Sequence, residues 1–148
     1  MRSLKAVAAA VVLAATATVT PPPANAMMPL GNYDVLTNRY DRPSSASWFW
    51  FVAQCIPEKS PDCIDVSGIP RRKFYADYRG KAQLVNGRYT LTIDVPDGLL
   101  CDGHRMPTRD TYSWDEVSLA GTIESVYNVG CFNGPPGTQF WTFALKRL

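Results

Sequence analysis

The chain carries a single histidine, His104, in 148 residues. Histidine is the side chain whose ordinary pKa lies near neutrality, so most acid–base machinery is thinly provided for. Serine hydrolysis needs such a base beside its nucleophile, and no serine stands in a G-x-S-x-G context. No C-x-x-C pair occurs, which removes the usual spacing of a four-cysteine zinc site. Asp97-Gly98 and Asp102-Gly103 do not fit the D-x-D-x-D-G pattern of a calcium loop. Neither a metal nor another cofactor is expected. No helix-period run of ten or more residues stands out, which points away from helical folds.

Membrane-length apolar runs are missing too. The longest stretch, Ala6 to Val19, falls short of the roughly 20 residues that a spanning helix needs. Its setting is that of an export signal: a basic Met1-Arg2-Ser3-Leu4-Lys5 start, the apolar run, and a Pro-rich segment ending Ala24-Asn25-Ala26. Residues 1–26 are therefore expected to be a signal peptide, and 27–148 a single secreted domain. No cysteine follows the cleavage motif, so a lipid anchor is not expected. Arg2 and Lys5 leave with the leader, so the 15 basic residues fall to 13 against 13 acidic ones. A formally neutral domain has no global attraction to nucleic acid or to an anionic membrane.

Four cysteines are present: Cys55, Cys63, Cys101 and Cys131. In an exported chain an even number reads as disulfides, and four cysteines allow three pairings. Cys55–Cys63 with Cys101–Cys131 is favoured, because each bond then closes one local segment. Chain-entropy reasoning gives about 2.6 and 3.7 kcal/mol for loops of those lengths. A free cysteine nucleophile does not fit an even count.

The organising stretch is Ser47-Trp48-Phe49-Trp50-Phe51-Val52-Ala53-Gln54-Cys55, which ends on the first cysteine. Both alternating faces are apolar, so this strand is expected to be covered on both sides. The rival reading is an aromatic platform for sugar rings or lipid. Tyr33 to Tyr40 reads as a short first strand, and Cys63 to Ile69 as a third. Asn86-Gly87 is the preferred turn of a two-residue hairpin. Pairing outward sets Leu84 against Tyr89, Ala82 against Leu91 and Tyr78 against Val95, while Arg79 meets Asp94 on the other face. Pro96 is expected to end the second strand, and Asp97 to Asp110 to form a loop. Ser118 to Asn128 puts Leu119, Ile123 and Tyr127 on one face. Thr138 to Leu148 puts Trp141, Phe143 and Leu145 on one face. Short strands at this spacing indicate an all-β fold, a small antiparallel β-sandwich or barrel with two disulfides.

Three candidate sites emerge. Arg71 to Lys81 interleaves cations with aromatics, and Arg72, Lys73, Tyr75, Arg79 and Lys81 are the expected binding residues, with Lys73, Tyr75, Arg79 and Lys81 sharing a strand face. The bland alternative is a solvated face whose cations protect an edge. A lipid carrier would use Trp48, Trp50 and Trp141 to line a barrel cavity. An envelope hydrolase would use His104, or a carboxylate pair such as Asp94 with Asp97 or Asp115 with Glu116, about 5–9 Å apart.

The leader, Trp48-x-Trp50 running into Cys55, Cys63-x-x-Val66, Gly87-x-Tyr89, Leu119-x-Gly121-Thr122, Gly130-Cys131 and Phe143-x-Leu145 together resemble a group of small secreted proteins of mycobacteria and related actinobacteria. The resemblance covers most of the chain after the leader. It implies an exported, disulfide-bonded β-domain, and it implies neither an enzymatic activity nor a catalytic residue. The expectation is a non-catalytic secreted binding module for an envelope glycan, lipid or protein partner.

Overall fold

A computed structural model describes residues 27–39, 48–71 and 75–148. The expected leader, residues 1–26, lies outside the described residues, as do Arg72 and Lys73. Eight strands follow one another: β1 (Gly31–Asn38), β2 (Trp48–Gln54), β3 (Cys63–Pro70), β4 (Tyr78–Val85), β5 (Arg88–Cys101), β6 (His104–Asp115), β7 (Ala120–Tyr127) and β8 (Gly137–Arg147). Each pairs antiparallel with the next, and β8 pairs back onto β1, so the sheet is a closed up-and-down barrel. Of the two expected architectures, the barrel is the one formed. Both disulfides are Cys55–Cys63 and Cys101–Cys131, with Cα atoms 5.6 and 5.4 Å apart.

Alternation along the strands sends one set of side chains into the barrel. Trp50 stands at the centre. Its ring lies 5.3 Å from those of Tyr112 and Trp114 and 5.9 Å from Phe143, centroid to centroid. Tyr89 stacks on Trp114 at 5.3 Å. Full burial of such a ring contributes about 3 kcal/mol. The outward set is largely polar, with Arg79, Lys81, Gln83, Arg88, Thr90, Thr92, Thr122 and Glu124 facing away from the core. An apolar inside and a polar outside invert the arrangement of a barrel that faces lipid.

The interior accommodates large rings because glycines stand opposite them. Gly68 on β3 pairs with Trp50 on one side and Tyr78 on the other. A Cβ there would fall 2.1 Å from the Tyr78 ring. Gly121 is tighter: its Cβ would meet the Ser113 carbonyl oxygen at 2.0 Å and Trp114 Cα at 2.7 Å. Those are backbone atoms of β6, which cannot rotate aside.

The Asn86-Gly87 hairpin has the expected register at Leu84↔Tyr89, with Gln83↔Thr90 and Val85↔Arg88 flanking it. Both turn residues have positive φ, 50° and 77°, as this turn requires. Three expectations fail. The aromatic strand is not covered on both faces: Trp50 and Val52 point in, but Phe51 is 49% exposed on the outer wall. A closed barrel has one interior, so alternation exposes the second aromatic set. Pro96 does not end β5, and Asp97 to Asp110 is not a loop. The strand passes a register shift between Val95 and Leu99, then turns at Asp102-Gly103 into β6. A bulge tolerates the missing proline donor, and Gly103 at φ 78° supplies the turn.

Gly121→Ala is predicted to cost about 3 kcal/mol of unfolding free energy, because β6 and β7 must separate. Gly103→Ala meets no atom within 4 Å, and is predicted to cost about 1 kcal/mol for its left-handed backbone alone. Urea midpoints of the two variants test this. Equal, small losses at both positions would show that the strand approach is not tight.

Candidate functional site

The two ends of the barrel differ. At the lower end Met28 is buried and its N–H donates to Tyr89 Oη at 3.2 Å. The upper end is where β1, β3, β5 and β7 finish, and there the inward positions turn polar. Asp110 on β6 pairs with Ser125 on β7, and Ser125 pairs with Gln139 on β8. All three are inward by alternation, so they form a polar row one step above the Tyr112–Ile123–Trp141 row. Thr108 Oγ1 donates to Asp110 Oδ1 at 2.6 Å. Ser125 is 0% exposed, and its Oγ has no hydrogen-bond partner among the described residues. Gln139 Oε1 is likewise buried without one.

Arg39, just past β1, joins this end from the other side. It is buried, its guanidinium carbon lies 4.4 Å from the centre of the Trp141 ring, and Nη2 donates to the Gly98 carbonyl at 2.9 Å. Stacking on indole suits a planar cation removed from water. Between the row and the core lies a chain of phenols. Trp50 Nε1 donates to Tyr78 Oη at 2.6 Å, and Tyr112 hydrogen-bonds the same hydroxyl. Burial pushes both phenols above the ordinary tyrosine range and the nearby Asp110 charge pushes the same way; Tyr78 further opposes ionisation of Tyr112, while the hydrogen bonds from Trp50 and Tyr112 offset part of the rise at Tyr78. Both therefore stay neutral donors at physiological pH.

The wall of the barrel opens beside this row. Above the Arg109↔Val126 pair, β6 leaves β7. Its upper stretch pairs instead with the bulged end of β5, from Leu99↔Met106 to Cys101↔His104. β7 stays with β8 as far as Tyr127↔Gly137. The notch between them is a cavity of about 410 Å³ lined by Met106, Thr108, Arg109, Val126, Tyr127 and Val129, with Asp94 at its rim. That volume falls in the range of small-molecule sites. Thr108 belongs to both features: it lines the notch and holds Asp110.

The expected site residues are scattered. Arg79 and Lys81 are exposed on the outer face of β4, opposite Ser67 and Asp65 of β3. Tyr75 is 65% exposed, but β4 begins only at Tyr78, so Tyr75 does not share that strand face. Asp94 is paired with Arg109 at 3.2 Å, not held by Arg79. His104 is exposed at the start of β6, its Nδ1 3.3 Å from the Asp102 carbonyl oxygen and its ring edge-on to Phe132. Six residues, roughly 20 Å of strand, separate it from Asp110. The expected carboxylate pairs are not aimed across a cleft. Asp97 binds Arg105 at 2.9 Å, and Asp115 accepts from the N–H groups of Val117 and Ser118 at 3.0 and 2.7 Å. Those bonds lower the Asp115 pKa. Of the three tryptophans expected to line a carrier cavity, Trp50 is locked in the core, Trp48 leans on Tyr78 at 5.2 Å, and Trp141 carries Arg39. Among the described residues no cluster of His, Cys, Asp or Glu is placed to hold a metal ion.

Arg39, Thr108, Asp110, Ser125 and Gln139 escaped the sequence reading. The signal for β6 was present: Met106, Thr108, Asp110, Tyr112 and Trp114 alternate directly after an Asp-Gly turn. Compared with protein-family models, with curated proteins and with solved structures, the chain matches none.

The raised phenols predict an alkaline limb. Their contribution to stability is fully present below the unfolded tyrosine pKa of about 10 and is lost as pH rises above it, because the unfolded chain releases protons that the fold retains. Of the seven tyrosines, Tyr78 and Tyr112 are expected to ionise only as the barrel opens, seen as tyrosinate absorbance rising with the loss of near-UV circular dichroism. Ionisation of all seven in an intact fold would contradict the buried chain of phenols.

Proposed function

We propose that the protein is an exported, non-catalytic binding module, and that it takes a small amphipathic anion of the cell envelope at the β6–β7 notch. One observation carries the reading: a cavity of about 410 Å³ lies on the barrel wall where β6 and β7 part, and it shares Thr108 with the buried polar row. Closed eight-stranded barrels have interiors just wide enough to fill or to hold one small ligand. Here the filled and the open parts are separate. Trp50, Tyr112, Trp114 and Phe143 fill the middle, so an acyl chain along the axis is poorly supported. The notch offers Met106, Val126 and Val129 as an apolar wall.

The anionic character follows from Arg109. Its partner is Asp94, and their side chains are 66% and 80% exposed. Such an ion pair is worth about 0–1 kcal/mol, so the guanidinium can exchange it for a ligand carboxylate or phosphate held in a less watery setting. Export and an envelope source rest on the leader motif, the two disulfides and the resemblance to secreted actinobacterial proteins. A hydrolase is less well supported, because His104 stands far along β6 from Asp110, and Asp94, Asp97 and Asp115 are engaged elsewhere.

Decanoate is a suitable probe, with an apolar body and one carboxylate. Calorimetric titration is predicted to show saturable one-to-one binding to the wild-type protein. Arg109→Ala should weaken it about tenfold, the worth of one charge-assisted hydrogen bond. Val126→Trp should abolish it by filling the notch, while the unfolding midpoint stays close to wild type. Binding that survives Val126→Trp would place the ligand elsewhere, and the exposed β4 face with Arg79 and Lys81 would become the better site.

A further inference from the structure

The β7–β8 hairpin bears an apolar outer surface toward its upper end. No charged residue stands between Glu124 and Lys146. Four apolar side chains of that stretch face water: Val126, Val129, Phe132 at 76% exposure and Phe140 at 70%. Val126 pairs with Thr138 and Glu124 with Phe140. Val126 and Phe140 are therefore diagonal neighbours on the outer face, about 7–8 Å apart. Val126 and Val129 line the same cavity. Phe132 stands at the tip of the connection, three residues beyond Val129. Gly130 and Gly134 bridge across the base of that turn, and the Cys101–Cys131 disulfide ties it to the β5–β6 turn. Phe132 has φ 56° and ψ 40°. A left-handed backbone is unfavourable for a bulky side chain, and here most of the ring stays in water, so the barrel gains no core burial in return.

We propose that this hairpin is a lipid-contacting edge, with the Phe132 turn and the Phe140–Val126 face resting in the interfacial layer of a membrane while the barrel stands in water. Three features favour a lipid surface over a protein partner. The hairpin has no charge of its own to dehydrate, and an uncharged turn bearing aromatic and aliphatic side chains is what that layer accepts. The exposed parts of the four side chains amount to about 400 Å², taking about 200 Å² for a whole aromatic ring, whereas a stable dimer buries about 800 Å² per partner. A knob at the tip of a tied turn suits a soft surface, and a protein would have to supply a matching hole. With 13 basic and 13 acidic groups after the leader, the contact rests on apolar burial and not on attraction to anionic headgroups. It goes beyond the notch and needs no ligand there, although it would bring the notch to the layer in which an amphipathic anion resides.

The test is co-flotation of the exported protein with phosphatidylcholine vesicles, which carry no net charge. Its start at Met27 is checked by mass, because the apolar leader would itself bind lipid. Wild type is expected to float with the vesicles, equally at about 0.15 M and about 1 M salt, since screening acts on charges alone. Phe132→Asn and Phe140→Thr should each lower the ratio of bound to free protein about tenfold. Asparagine accepts a left-handed backbone and threonine suits a strand, so both variants should keep the wild-type unfolding midpoint. Both should also titrate with decanoate as wild type does, because neither residue lines the notch. Flotation that these variants lose supports the lipid contact whatever decanoate does, so the two readings fail separately. No flotation of wild type, flotation abolished by salt, or variants that float like wild type would each overturn it. So would a wild-type dimer in sedimentation that Phe132→Asn turns into monomer, which would make this face a contact between two copies.

Discussion

Closure of the sheet is the constraint on which everything else in this molecule depends. β1 and β8 are the ends of the chain's sheet, and an open sheet would leave two unpaired edges. They pair through six positions, from Tyr33↔Arg147 to Asn38↔Thr142. Closure makes one inside and one outside, and so decides which of two alternating side chains is core. It explains why Trp50 is buried while Phe51, its neighbour on the same strand, is half exposed. It also limits the volume inside, so that large rings must stand opposite glycines.

The interior divides into a filled part and a polar part. Below and in the middle, aromatic rings meet edge to face and exclude water. Trp50 and Tyr78 link the two parts, because an indole N–H buried this deeply needs an acceptor and finds the phenol. Above them, Asp110, Arg39 and Thr108 satisfy one another or the backbone, whereas Ser125 Oγ and Gln139 Oε1 do not within the described residues. Cores seldom leave buried polar atoms unsatisfied. Their occurrence beside the one stretch where β6 and β7 part is the reason for reading this end as functional.

Much of this was legible in the sequence, for identifiable reasons. The Asn86-Gly87 turn fixed a register, and the alternation of Trp141, Phe143 and Leu145 fixed a buried face. The spacing of the cysteines favoured the pairing that forms. The site was not legible, because its residues come from β1, β6, β7 and β8 and meet only when the barrel closes. Pro96 also misled: a proline normally stops a ladder, and here a bulge carries the strand past it. That misreading turned the upper half of β6, with Thr108 and Asp110, into a loop. The cationic stretch around Arg79 stood out because its residues are adjacent in sequence, which is weak evidence of adjacency in space.

The central proposal is that the exported barrel holds a small envelope anion at the β6–β7 notch. Native mass spectrometry of the exported protein, followed by denaturation without reductant, tests it in one experiment. The account predicts a chain starting at Met27, lighter by the four hydrogens of two disulfides, with an added mass that disappears on denaturation. A bare chain in the native spectrum, from cells grown with an intact envelope, would contradict it.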